Sequence, residues 1–171
     1  MKHPFSFNIE VEQTRHLIAC EKLLERSFGL GRHQRLVTKM RRAIIPIASL
    51  SFISIETQSK NLAGLLRFYH LRLGVKRLKH YCFFGPLAID PIYQNSGLGH
   101  ILTHHGIQQA SALGFKGVFI IGNSSYYKKF GFSDALVKHL NLPGSIEPLI
   151  LMGLELTPNA FKHLSGTIIF D

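Results

Sequence analysis

The stretch FFGPLAIDPIYQNSGLGHIL, residues 83–102, constrains this chain more than any other. An apolar run ends at Asp90-Pro91, a polar loop with two glycines follows, and a helical pattern starts at Leu98. That order brings a helix N-terminus to the end of a strand. The first N–H groups of a helix lack partners within it, and the aligned peptide dipoles add partial positive charge. The loop Gln94-Asn95-Ser96-Gly97-Leu98-Gly99 therefore reads as an anion site, with a pyrophosphate as its natural occupant. Gly97 and Gly99 remove Cβ atoms that would hold phosphate oxygens away from the backbone. The pattern Q/R-x-x-G-x-G/A alone arises in about one random chain in six at this length. Its position between strand and helix carries the weight. A dinucleotide fold would need GxGxxG, and Leu102 stands where the third glycine would fall.

Gly85-Pro86 lies inside the same strand. Proline cannot donate to a ladder, so a central strand avoids it except at a bulge or where pairing breaks. Beside the apolar run Lys116 to Ile121, the strand should splay away there and leave a slot with free backbone groups. An extended, amide-bearing ligand such as pantetheine could enter as a false strand. An edge-strand kink is the alternative reading of the proline. Past the slot's other wall comes Tyr126-Tyr127-Lys128-Lys129-Phe130-Gly131-Phe132, where a tyrosine on a short helix can aim its hydroxyl inward. Phe130 and Phe132 read as core anchors.

Around these motifs the pattern predicts a single domain over residues 1–171. A strand at Phe7 to Val11 precedes a helix at Thr14 to Phe28, with Leu17, Cys20, Leu24 and Phe28 on one face. A second, basic helix is expected from Arg32 to Arg42. Strands are expected at Ser49 to Glu56, Leu62 to Leu73 and His80 to Ile89. Leu98, Ile101, Leu102, Gly106, Ala110 and Leu113 form a helical stripe stopped by Gly114. Lys116 to Ile121 reads as a buried parallel strand, Ser125 to Phe130 as a brief helix and Leu149 to Leu156 as a last strand. The fold class is α/β (α+β mixed), a mixed, mostly antiparallel sheet flanked by helices.

Composition narrows the setting. Hydrophobic residues make up 46% and charged ones 18%, which excludes intrinsic disorder. Two cysteines, Cys20 and Cys82, build no disulfide framework, and both read as core. The oiliest run, Ala43 to Ile55, holds Pro46 and is too short to cross a bilayer, and the N-terminal stretch lacks a signal peptide's apolar run. A cytoplasmic protein is expected. The net charge of +10 gathers in two acid-free fields, Arg26 to Arg42 and Thr57 to Ile89. Such fields attract phosphates or anionic metabolites, or merely keep a surface solvated. Nucleic acid is not the expected partner, because no aromatic-interleaved basic motif appears.

The sequence resembles the GNAT-superfamily N-acetyltransferases, in particular bacterial members reading GPLAVDPxYQxxGIG and YYxxFGF. Here those motifs stand as GPLAIDPIYQNSGLG (85–99), LGF (113–115) and YYKKFGF (126–132). The resemblance implies a GNAT-like fold with splayed central strands, acetyl-CoA as co-substrate, and transfer to an amine. It implies that the backbone of Leu87, Ala88 and Ile89 pairs with the pantetheine arm. Gln94 and the run from Asn95 to His100 (Asn95, Ser96, Gly97, Leu98, Gly99, His100) would hold the pyrophosphate, with Asn123 and Tyr127 completing the cofactor contacts. Relatives often carry arginine where this chain has His100. Tyr127 matches the family's general acid, and Tyr126 is its alternative if the short helix is rotated.

An amine nucleophile must lose a proton first, and no glutamate lies between Thr57 and Ile89. His70 and Tyr81 are the local candidates. His100 and His104 sit one turn apart at metal-face spacing, but no third ligand is signalled and no metal is expected. The acceptor end is expected near the basic second helix and the turn Gly74 to Lys79, favouring a small anionic amine or an amino group of a protein. A non-catalytic acyl-CoA-binding or RNA-associated module is the alternative reading.

Overall fold

A computed structural model describes residues 5–29 and 44–170. The chain opens with β1 (Phe7–Val11), a 3-10 turn at Thr14–His16 and α1 (Leu17–Phe28). The expected basic helix at 32–42 lies outside the described residues. Next come β2 (Ser51–Glu56), β3 (Leu62–Tyr69), β4 (Leu71–Leu73), β5 (Lys76–Arg77) and β6 (Tyr81–Ile89). Then follow α2 (Leu98–Ala112), β7 (Gly117–Gly122), the single-turn α3 (Ser124–Tyr127), β8 (Leu140–Asn141), β9 (Ile150–Glu155) and β10 (Gly166–Phe170). No described helix is long and apolar enough to cross a membrane.

One sheet has the order β1-β2-β3-β6-β7-β9, and a smaller one the order β5-β4-β10-β8. In the larger sheet every neighbouring pair is antiparallel except β6 with β7, joined through α2 by a parallel crossover. The expected mixed, mostly antiparallel sheet with flanking helices is what forms. The span Leu62 to Leu73 is not one strand: it breaks at His70, and β4 leaves the main sheet to pair with β5 and β10. The strand at 150–155 is not the last. β10 and β8 escape a sequence reading because each is short and defined by its partners.

Leu50, Phe52, Leu66, Phe68, Phe84, Leu98, Leu102 and Val118 pack between the sheet and α2. Cys20, Leu23, Leu24, Ile53, Leu65 and Ala88 pack under α1 on the opposite face. Each large side chain so buried contributes about 1.5–3 kcal/mol. Every residue of β7 is buried, as an apolar parallel strand requires. Not every predicted stripe residue goes inside. Ile101 on α2, Leu113 just past its end and Leu17 on α1 are each about half exposed, at 48%, 52% and 47%.

Candidate functional site

β6 and β7 are paired only through Tyr81↔Gly117, Cys82↔Val118 and Phe83↔Phe119. Beyond Phe83 the two strands separate. The cause lies on the other edge of β6, where Leu66 faces Leu87 and Phe68 faces Phe84, so Gly85 and Pro86 together oppose Arg67. That bulge turns the second half of β6 away from β7. A cleft of about 1180 Å³ fills the gap, and Leu87, Ala88, Ile89, Gln94, Gly99, Asn123, Tyr126 and Tyr127 all line it. The chain thus gathers a strand edge, a helix N-terminus and a tyrosine pair into one opening.

The loop at the head of α2 is braced from inside. Asp90 caps the turn Pro91–Tyr93 by accepting the Ile92 N–H at 3.1 Å, and Arg26 of α1 donates to the same carboxylate at 2.9 Å. Ser96 is buried and donates its hydroxyl to the Tyr93 carbonyl at 2.6 Å, so its side chain is committed to the loop itself. Leu98 is wholly buried, and its part in any anion site is confined to its backbone. Gly97 is the N-cap of α2 with φ +83, a left-handed conformation that disfavours a side chain even though a Cβ there would meet open space. Gly99 is different. A Cβ there would stand 2.9 Å from the Tyr126 hydroxyl. His100 is exposed and packs edge-on to His104 and tilted against Phe130, with ring centroids 4.6 Å and 4.9 Å away. Among the described residues no group of three or more His, Cys, Asp or Glu is placed to hold a metal.

The two tyrosines of α3 have different surroundings. Tyr126 turns to α2, its hydroxyl close against Gly99, and burial raises its phenol above the usual range, with Thr103 acting the other way. Tyr127 packs edge-on to Phe84 at 5.7 Å and to Phe132 at 5.9 Å, over the place where β6 and β7 part. Asn123 caps α3, its Oδ1 accepting the Ser125 N–H at 2.9 Å, a role the sequence reading missed. On β6, the carbonyl of Ile89 accepts the Ser27 hydroxyl at 3.0 Å, so that acceptor is engaged with α1.

Neither residue suggested for taking a proton lies at the cleft. His70 occupies the break between β3 and β4 and does not line the cleft, although its neighbour Tyr69 does. Tyr81 donates its hydroxyl to the Ala160 carbonyl at the far end of β6. The turn Gly74 to Lys79 does not border the cleft either. Lys76, Arg77 and Lys79 line a separate shallow depression with Lys116 and His163. The far part of the cleft is built instead by Leu17, Glu21, Leu24 and Phe28 of α1, Arg67 and Tyr69 of β3, and residues 145–149. Local sequence could not reveal this, since α1 and β3 meet only through the fold.

Residues 17–132 match the acetyltransferase (GNAT) family. A stretch of 47 residues is 40% identical to YjhQ of Escherichia coli (strain K12), an uncharacterized N-acetyltransferase, and spans 28% of this chain. It spans only 26% of YjhQ's own length. The fold superposes on the GNAT family N-acetyltransferase YhbS from Escherichia coli, solved with CoA, at a TM-score of 0.80 and 22% identity. That superposition covers 98% of this chain and 91% of YhbS. A GNAT family acetyltransferase from Brucella melitensis, solved with acetyl-CoA, gives a TM-score of 0.73 at 18% identity, over 97% of this chain and 96% of that one.

Proposed function

The chain belongs to the acetyltransferase (GNAT) family, and from that premise we propose that it transfers an acetyl group from acetyl-CoA to an amine by direct attack. The parting of β6 from β7 beyond Phe83 carries this reading. It leaves a strand edge open beside a helix N-terminus, and a ligand with amides along its length and a pyrophosphate at one end suits both. The pantetheine arm lies along Leu87 and Ala88, and the pyrophosphate meets the backbone from Asn95 to His100. Fixed N–H groups near Leu87 or Ala88 stabilise the oxyanion that forms at the thioester carbonyl. Tyr127 gives its hydroxyl proton to the departing thiolate. The packing of the Tyr126 hydroxyl against Gly99 favours Tyr127 over its neighbour.

The test is thiol release from acetyl-CoA over a panel of amines, peptides and anionic amino compounds, with calorimetry of acetyl-CoA binding alongside. Transfer to at least one amine is expected, with free CoA competing for the cofactor. Binding of acetyl-CoA without transfer to any acceptor would favour the non-catalytic module.

A further inference from the structure

We propose that Glu21 takes the proton from the acceptor's ammonium group; this rests on the acetyltransferase reading and names a residue for a step it leaves open. An aliphatic ammonium has a pKa near that of lysine, roughly 10.4, so the nucleophilic form is scarce at neutral pH. A carboxylate facing the acceptor would supply the missing base. Among the described residues, Glu21 and Glu147 are the carboxylates that line the cleft.

Glu21 belongs to the cleft-facing stripe of α1, between Leu17 and Leu24, and its side chain is about half exposed. Its Oε1 lies 3.6 Å from Nη1 of Arg67. Arg67 is itself fixed: its side chain is 8% exposed, and its Nε donates to Glu12 at 2.8 Å while Nη2 holds the other carboxylate oxygen. Arg67 also stands across from Gly85-Pro86, the point at which the slot opens. Glu21 is thus oriented by a braced cation beside the place where a thioester would lie. Glu12 offsets the charge of Arg67, so the three groups carry one net negative charge, which suits an incoming ammonium. Tyr69 joins Arg67 from β3, Cys20 lies beside Glu21 on α1, and β6 presents no titratable side chain between Phe83 and Ile89. Glu147 is exposed, on the loop before β9, and its backbone N–H donates to Ser145 Oγ at 3.4 Å.

The steps balance as follows. The ammonium gives one proton to the Glu21 carboxylate, and the freed lone pair forms the C–N bond at the thioester carbon. The C–S bond breaks as the oxyanion collapses. The thiolate takes the Tyr127 proton, the phenolate recovers one from the new amide nitrogen, and Glu21 releases its proton to solvent. The products are amide, CoA thiol and one proton.

The experiment compares parent, Glu21→Gln, Glu21→Asp and Glu147→Gln over pH 6–10. It uses the best aliphatic amine of the panel and, as a second acceptor, methoxyamine, whose low basicity leaves it unprotonated at neutral pH. With the aliphatic amine, Glu21→Gln is expected to lower kcat/KM about a hundredfold at pH 7 and to recover as pH rises. With methoxyamine it should lie within threefold of the parent. If the glutamine variant fails to fold, Glu21→Asp carries the same test, with a smaller loss confined to the aliphatic acceptor. An active parent with Glu21→Gln unaffected on both acceptors, equally impaired on both, or with the pH-dependent loss moved to Glu147→Gln, overturns the inference alone. A parent that transfers to no amine overturns the acetyltransferase reading as well.

Discussion

The ring of Tyr127 rests against the backbone of Gly122, so closely that a Cβ on Gly122 would stand 2.5 Å from Cε2 and 2.8 Å from Cδ2. The last residue of β7 therefore sets where the phenol sits, because no side chain larger than hydrogen leaves the ring in place. Gly122→Ala should push Tyr127 out of line and lower kcat at least tenfold. Tyr127→Phe should lower it about a hundredfold. Both should bind CoA within about threefold of the parent by calorimetry. An unchanged kcat in Tyr127→Phe would remove the phenol from the chemistry.

Asp90 ends β6, caps the following turn and pairs with Arg26, whose Nη2 is 2.8 Å away. It braces the loop that opens α2. Asp90→Ala should cost about 1–2 kcal/mol from the lost cap alone. At this chain length that is a fall in Tm of about 2–8 °C. Because the loop is loosened, CoA affinity should fall too, while Arg26→Ala, which leaves the cap, should weaken binding less. Matching CoA affinities in all three proteins would show that the loop needs no such brace.

Arg67 and Glu12 form a buried pair, with side chains 8% and 6% exposed. Burial pulls the guanidinium pKa down, but the hydrogen bonds and charge of Glu12 outweigh it and hold Arg67 above its usual range. Removing one partner leaves the other charged and buried. Glu12→Gln should therefore destabilise by about 3–5 kcal/mol in chemical denaturation. Replacing both by apolar residues of similar size should cost less than the single change. A single variant within 1 kcal/mol (roughly the error of such comparisons) would contradict this.

Burial raises the Cys20 thiol, helped by the charge of Glu12, from 9.0 to about 12, and burial alone raises Cys82 further. Both thiols keep their protons in the folded protein at a pH where the unfolded chain loses them. The stability they contribute is complete below about pH 9 and is lost as pH rises from 9 towards 12. Iodoacetamide at pH 8 should label neither cysteine in the folded protein and both in denaturant. Rapid labelling of either in the native state would refute the assignment.

Much of the cofactor side was legible in order along the chain. Gly85-Pro86 announced the bulge, the glycine loop announced the head of α2, and the unbroken apolar run of β7 announced a buried parallel strand. All three depend on interactions within a few residues. The acceptor side was not legible. His70 and Tyr81 were close in sequence to the slot yet do not line it: β3 breaks at His70, and the Tyr81 hydroxyl is taken by Ala160. Ser96 and Asn123 carried polar side chains that suggested ligand contacts, but each serves its own turn.

By itself the sequence determined the strand–loop–helix unit, the glycines at its turn and the site at which β6 leaves β7, since turns, caps and a proline's missing N–H act locally. Only the tertiary structure decided that Glu21 and Glu147 line the slot and how each tyrosine is set in it. Glu21 reaches Arg67 because α1 packs across β3, and Tyr127 takes its position because Gly122 offers no side chain against it. Such contacts join residues far apart in the chain, and no periodicity or spacing records them.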